Sequence, residues 1–310
     1  MNDSTMNAVK DTAAIDDGFV MIKSPLHPLS VAIKSSATPA IETNATGGQY
    51  VRYRFADGNG AIILAYASDA AGAKQIASDD PAAARKRVDD YYAKLLECRV
   101  ETPVKNINDA FRGALTTLEY AWNAPFGWVE SINHWFALWH MQHTAGVEWI
   151  GLADRSRLCN ITHAENLMPD GAVPQFMTYL TKRRDFGGSN QFFCWQVRHY
   201  FQFTNDVEFA RRLAPVLDRV IAQSYTENDT DRNGLLGWGL QIGNQEDYVA
   251  TPSDGTTPSI EGINMYRARC ELAQALGDSA TVVRCEAEIR RITALLHERL
   301  WQADLGRAIF

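Results

Sequence analysis

The hydrophobic pattern of these 310 residues predicts a mainly α protein, an array of helix hairpins behind a short β-rich start. Three features carry this. Up to about residue 70 the apolar runs are short and alternate; from Asp79 onward the period is 3.6 almost to residue 302; and tight polar turns alternate with long connections between the helical stretches.

The β-rich start contains FVMI at 19–22, YVRYRF at 50–55 and AIILAYA at 61–67, the last two separated by DGNG at 57–60. Asp57-Gly58 and Asn59-Gly60 tolerate positive φ, and VRYRF alternates as a half-buried strand does, so these two runs are expected to form a hairpin. Helices begin at SDDP, where Asp79 or Asp80 caps and Pro81 occupies the first turn. They are expected near 80–97, 106–121, 132–145, 147–166, 190–204, 206–226, 259–276 and 279–301. Tight turns fall at Gly146, at Thr204-Asn205-Asp206 and at Leu276-Gly277-Asp278-Ser279. The connections 122–131, 167–189 and 227–258 are long, and strict alternation puts all three at one end of the array. Loops of this length with Trp128, Trp238, Phe186, Tyr248, glycines and carboxylates have the composition of a binding face.

The length suits one large domain plus a smaller piece. The divisions expected are 1–78 as a β-rich region, 79–121 as a helical linker and 122–310 as helix hairpins. Hydrophobic residues at 46% and charged residues at 22% describe a packed globular chain. The net charge of −7, without any Lys/Arg run, removes nucleic acid as an expected partner. No run is long and apolar enough for a membrane span, and Asp3, Asp11, Asp16 and Asp17 stand where an export signal would be basic and apolar, so a cytoplasmic location is expected. Cys98, Cys159, Cys194, Cys270 and Cys285 form no CxxC pair and read as buried thiols in a reducing compartment. Oligomeric state is not encoded in any recognisable pattern.

Five stretches are similar to the six-hairpin (α/α)6-barrel glycoside hydrolases: WNAPFGWVESINHW at 122–135, ENLMPDGAVPQF at 165–176, CWQVRHYFQFTND at 194–206, ENDTDRNGLLGWG at 227–239 and NQEDYVATPSDGTTPSIEGINMYRARCELAQALGD at 244–278. The likeness spans 80–310. It implies an (α/α)6 toroid after a β-sandwich and a linker, here incomplete, with only about three hairpins and a β-sandwich remnant. It also implies hydrolysis of O-glycosidic bonds in an oligosaccharide or glycoside by carboxylic-acid catalysis, without a cofactor. The general acid carries over onto Glu246 or Asp247, with Glu246 first, and the second carboxylate is expected beyond residue 310.

Glycoside hydrolysis needs a protonated carboxyl at the glycosidic oxygen and a second carboxylate across the sugar. Glu246 and Asp247 lie beside Asn244, Gln245 and Tyr248, where a neighbouring like charge and partial burial raise a carboxyl pKa; the plainer alternative is a solvated acidic loop. Trp128 and Trp238, each next to glycine, offer flat faces for a sugar, whereas Trp135, Trp139, Trp149, Trp195 and Trp301 fall in helical patterns and read as core. Glu130, Asp170, Gln245, Tyr248 and Glu261 complete the expected substrate contacts, with Asp254 a further candidate. Helix-end complementation explains Glu130 equally well, and turn chemistry with Pro169 and Gly171 explains Asp170.

His134, His140 and His143 lack the HExxH arrangement and read as core histidines, so no metal is expected. Asp229-Thr230-Asp231-Arg232-Asn233-Gly234 imitates the start of an EF-hand loop, but Leu240 stands at position 12, and a polar turn is the simpler account. GxSxG, Walker and GxGxxG motifs are absent from the sequence. Competing functions are a polysaccharide lyase, to which Lys182-Arg183-Arg184 points, a sugar epimerase, or a helical scaffold for a protein partner.

Overall fold

The computed structural model describes residues 11–24, 27–45, 47–56, 58, 60–124, 126–129, 136–137, 146–174, 176–177, 182–183, 189–237 and 254–308. Two compact units divide the chain, Met1–Arg99 and Val100–Phe310, and the division falls inside the segment expected to be a linker. Eight α-helices and several small sheets make the described residues mainly α.

In the first unit β1 (Thr12–Asp16), β2 (Phe19–Ser24), β3 (His27–Ser35), β4 (Pro39–Thr43), β5 (Gln49–Tyr53) and β6 (Ile62–Ala67) precede α1 (Ala70–Ala77) and α2 (Pro81–Leu95). The expected hairpin between the runs at 50–55 and 61–67 does not form. Instead β5 pairs with β4, and β6 joins an antiparallel sheet of order β1-β2-β3-β6. The reason lies in side-chain size. Register sets Ala65 opposite Ala32, both buried, and this small-residue surface lets Ala73 and Ala77 of α1 approach. The β4–β5 turn is held locally, the Asn44 side chain accepting from Gly48 N–H at 2.7 Å. Helix α1 was not legible in the alanine-rich string AAGAKQIA, although Asp69 caps it by accepting from Gly72 N–H at 2.8 Å. Asp80 caps α2 in the same way, with Pro81 in the first turn as expected.

The second unit runs α3 (Lys105–Ala121), β7 (Trp122–Asn123), β8 (Gly127–Trp128), β9 (Phe136–Ala137), a 3-10 turn (Val147–Ile150), α4 (Ala153–Glu165), β10 (Phe176–Met177), β11 (Lys182–Arg183), α5 (Ser189–Thr204), α6 (Val207–Asn228), α7 (Thr256–Leu276), α8 (Ser279–Arg299), β12 (Trp301–Gln302) and β13 (Arg307–Ala308). Two expectations are corrected. Phe136–Ala137, placed in a helix over 132–145, is a strand whose backbone pairs with β10, so those groups serve a ladder instead of a helical turn. The single helix expected over 147–166 is broken at Gly151, whose φ of 85° is open to glycine and ends the 3-10 turn before α4 starts.

Helices α5 to α7 pack through Val197, Phe209, Leu213, Leu217, Met265 and Leu272, with Cys159 and Ile161 of α4 in the same core, while α8 packs through Ile292 in a second cluster with Leu235, Ile263 and Leu300. Short turns at Asn205–Asp206 and at Gly277–Asp278 join α5 to α6 and α7 to α8. Asp206 ties the first turn down: its carboxylate accepts from Phe209 N–H at 2.9 Å, from Arg157 Nε at 3.0 Å and from Tyr200 Oη at 3.2 Å. Burial pushes its pKa up, but these donors outweigh burial and hold it below the usual carboxylate value. At the other end the long connections emerge, and backbone contacts gather the C-terminus of α6 and the N-terminus of α7: Gly237 N–H donates to Asn228 O, and Leu236 N–H to Ser259 Oγ. Among the described residues no helix is long and apolar enough to cross a membrane.

Candidate functional site

At this loop end polar side chains enter positions that an amphipathic helix would fill with apolar ones. Asn190, Gln191, Gln223, Ser224, Asn228 and Ser259 are all buried. A chain of amides orders part of the set. Val173 N–H donates to Asn190 Oδ1 at 2.9 Å, so Asn190 Nδ2 faces α6 and donates to Gln223 Oε1 at 2.7 Å and to Ser224 Oγ at 2.8 Å. With its oxygen thus occupied, Gln223 turns its Nε2 outward, where it donates to Glu227 and, at 3.4 Å, to Asp170 Oδ2. Two carboxylates therefore meet at one amide nitrogen whose direction is set from the interior.

They line an open cleft of about 440 Å³ together with Arg219, Ala222, Gln223 and Thr226. Asp170 reaches it from a tight turn in which Met168 N–H donates to Ala172 O, Gly171 N–H to Met168 O and Ala172 N–H to Asp170 Oδ1. Gly171, at φ 99°, rests directly on α6: a Cβ there would meet Arg219 O at 3.2 Å. Carboxylates, an amide, a hydroxyl and a guanidinium in a cleft of this size suit a small polyhydroxylated ligand, whose hydroxyls need donors and acceptors together.

Glu261 lies apart from this cleft, in the second turn of α7 at the same end. It is half-buried and accepts a long hydrogen bond, 3.4 Å, from Asn264 Nδ2. Burial pushes its carboxyl pKa up, and Asn264 only partly offsets this.

Trp128 is corrected. It is 1% exposed, its indole N–H donates to Leu118 O at 2.9 Å, and it meets Trp122 edge to face at 4.7 Å; it is core and presents no open face. The reverse holds for tryptophans read as core. Trp149, Trp195 and Trp301 are 74%, 39% and 45% exposed. Trp149 sits on the 3-10 turn, not on a helix face, and Trp195 and Trp301 lie against His199 and His297, each with ring centres 6.0 Å apart. Glu130, Trp238, Gln245, Glu246, Asp247 and Tyr248 lie outside the described residues, as do His134, His140 and His143. Gln223, Glu227, Arg219 and Asn190 were not singled out from the sequence. For Asn190 and Gln223 the only signal was polar residues on the inward stripe of α5 and α6, whereas Arg219 is exposed and Glu227 half-buried, and neither carried one.

The EF-hand-like string is a turn held by Asn233, whose Nδ2 donates to Asp231 Oδ2 at 2.7 Å and to Asp254 Oδ1 and Oδ2 at 2.9 and 3.0 Å, while Gly234 N–H donates to Asp229 Oδ2. Among the described residues no group of three His, Cys, Asp or Glu side chains is placed to hold a metal ion.

No protein-family model matches the chain. No curated protein matches it either. Among solved structures it is similar to a rhamnosidase from Klebsiella oxytoca with rhamnose bound, at 13% identity and a TM-score of 0.55 over 99% of this chain and 66% of that one. The chain thus spans 66% of the length of the protein it resembles, and at this identity the likeness is one of fold.

Proposed function

We propose that this chain is a glycoside hydrolase, or the larger part of one, that cleaves O-glycosidic bonds by carboxylic-acid catalysis, with a rhamnoside first among candidate substrates. The observation that carries this reading is the meeting of Asp170 and Glu227 at the Gln223 amide in one cleft, with the half-buried Glu261 apart from it at the same end of the helix array. The fold likeness to a rhamnosidase supports it, as does the sequence resemblance. On this reading α4 to α8 are hairpins of an incomplete (α/α)6 toroid, the β strands of the first unit are a β-sandwich remnant, and Glu246 and Asp247 act on the glycosidic bond. Gln245, Tyr248, Trp238, Glu130, Asp170 and Glu261 would then hold the sugar, with Gln223 and Glu227 added by the cleft, and no cofactor is required.

The test is turnover of aryl α-L-rhamnoside, α-glucoside, α-mannoside and β-arabinoside by the purified chain, beside Glu246→Gln and Asp247→Asn. Hydrolysis of one glycoside, reduced by about 10²-fold or more in one variant that keeps its circular dichroism, is expected. A folded chain that neither hydrolyses a glycoside nor binds rhamnose would overturn the reading.

A further inference from the structure

The amides behind the cleft form a chain with one direction. It starts at a backbone donor that cannot be reversed: Val173 N–H donates to Asn190 Oδ1, which leaves only Nδ2 to face α6. Ser224 Oγ gives its own hydrogen to Val220 O at 2.9 Å, so it meets Asn190 Nδ2 as an acceptor, as Gln223 Oε1 does. Asn190 and Ser224 are fully buried, away from water that could rearrange them. Reversing Gln223 would set its Nε2 against Asn190 Nδ2 inside and its Oε1 against two carboxylates outside, so its polarity is fixed from both ends. The chain ends in the cleft of about 440 Å³, where Nε2 carries two N–H groups, one toward Asp170 and one toward Glu227. The Asp170 contact is long at 3.4 Å, and the turn that holds Asp170 engages its other oxygen through Ala172 N–H.

We propose that this cleft reads a vicinal diol of the sugar and that Asn190 is a positioning residue acting through Gln223, an inference that rests on the function proposed above. Each N–H of Gln223 and the carboxylate beside it make a donor–acceptor pair, which a hydroxyl completes because it accepts and donates at once. Two such pairs share one nitrogen, so the hydroxyls they fit stand on neighbouring carbons. A hydroxyl entering beside Asp170 replaces one long hydrogen bond by two of ordinary length, one from Nε2 and one to the carboxylate. A cation drawn to the carboxylates would instead face the Nε2 hydrogens between them, and a sugar lacking one of the hydroxyls would leave one pair unfilled. Ala222, the smallest residue lining the cleft, leaves room for the ring.

Calorimetric titration of the purified chain with the methyl α-L-rhamnoside, α-glucoside, α-mannoside and β-arabinoside, and then with the monodeoxy analogues of the tightest binder, tests this. Removing either of two adjacent hydroxyls is expected to weaken binding about 10- to 100-fold, and removing any other far less. Gln223→Met keeps the side-chain length and loses the donor, so it should bring the parent glycoside down to the affinity of its deoxy analogue. Asn190→Asp still accepts from Val173 N–H but draws the Gln223 Nε2 inward; it should abolish the same discrimination, and the double variant should lose no more than Gln223→Met alone. Should Asn190→Asp not fold, Asn190→Ser, too short to reach Gln223, carries the same expectation. A merely structural role would lower the unfolding temperature and leave the ratio of affinities intact. If the wild type binds a glycoside without regard to any one hydroxyl, or Gln223→Met keeps the discrimination, the diol reading is overturned and the glycosidase reading survives. Discrimination lost in Gln223→Met but kept in the Asn190 variants removes Asn190 from the relay. If the wild type neither binds nor hydrolyses any of the glycosides, both readings fail together.

Discussion

His163 shows how far a single side chain in this core departs from its solution behaviour. It is fully buried on α4; its Nδ1–H donates to Cys159 O at 2.9 Å, and its Nε2 has no hydrogen-bond partner among the described residues. Burial lowers its pKa from 6.5 to about 4, the Cys159 carbonyl only partly opposing this. Between those values the unfolded chain binds a proton that the folded chain refuses. The stability held by neutral His163 is therefore complete above pH 6.5 and is lost as pH falls toward 4, by about 1.4 kcal/mol for each pH unit. Urea unfolding followed from pH 7 to pH 4.5 should show this slope, and His163→Gln should remove its share; an unchanged slope in the variant would refute the assignment. A sequence reveals such a residue poorly, because HAEN at 163–166 looks the same at the surface or in the core.

The elements were legible where one period governs many residues. The 3.6 pattern located α2, α3 and α5 to α8 to within a few residues, and DDP and FTND marked two of their starts. Strand pairing was not legible: β6 chooses β3 over the nearer β5 because of alanines at 32, 65, 73 and 77, a packing relation between separated segments. At the site, the sequence singled out Asp170 because it lies in a long connection, but the amides Asn190 and Gln223 sit inside helices, where composition does not distinguish them from solvated residues. The turn carrying Asp170 yields a prediction. Gly171→Ala places a Cβ at positive φ and against Arg219 O, so it should cost about 1–2 kcal/mol for the backbone conformation alone. It should also loosen the Asp170–Gln223 contact and weaken rhamnose binding; a variant with wild-type unfolding temperature and wild-type binding would show that the turn does not position the cleft.

At the scale of the molecule the two units have unequal cores. The first is held largely by Phe19 and Met21 with four alanines, whereas the second buries a continuous set of large side chains from α4 to α7. Apolar area removed from water sets most of the stabilisation, so the first unit should unfold at the lower temperature. Calorimetry should resolve two transitions, the smaller one first; one transition with equal calorimetric and van't Hoff enthalpies would contradict this. The second unit also separates its tasks by position. Short turns at Asn205–Asp206 and Gly277–Asp278 set helix order and spacing, and the opposite end holds the connections that reach the cleft. Closing a loop of doubled length costs only about 0.6 kcal/mol, so each connection is free to lengthen or change its chemistry while the helices keep their register. A frame of this kind lets specificity be exchanged piecewise, one graft at a time, while its melting behaviour stays with the turns.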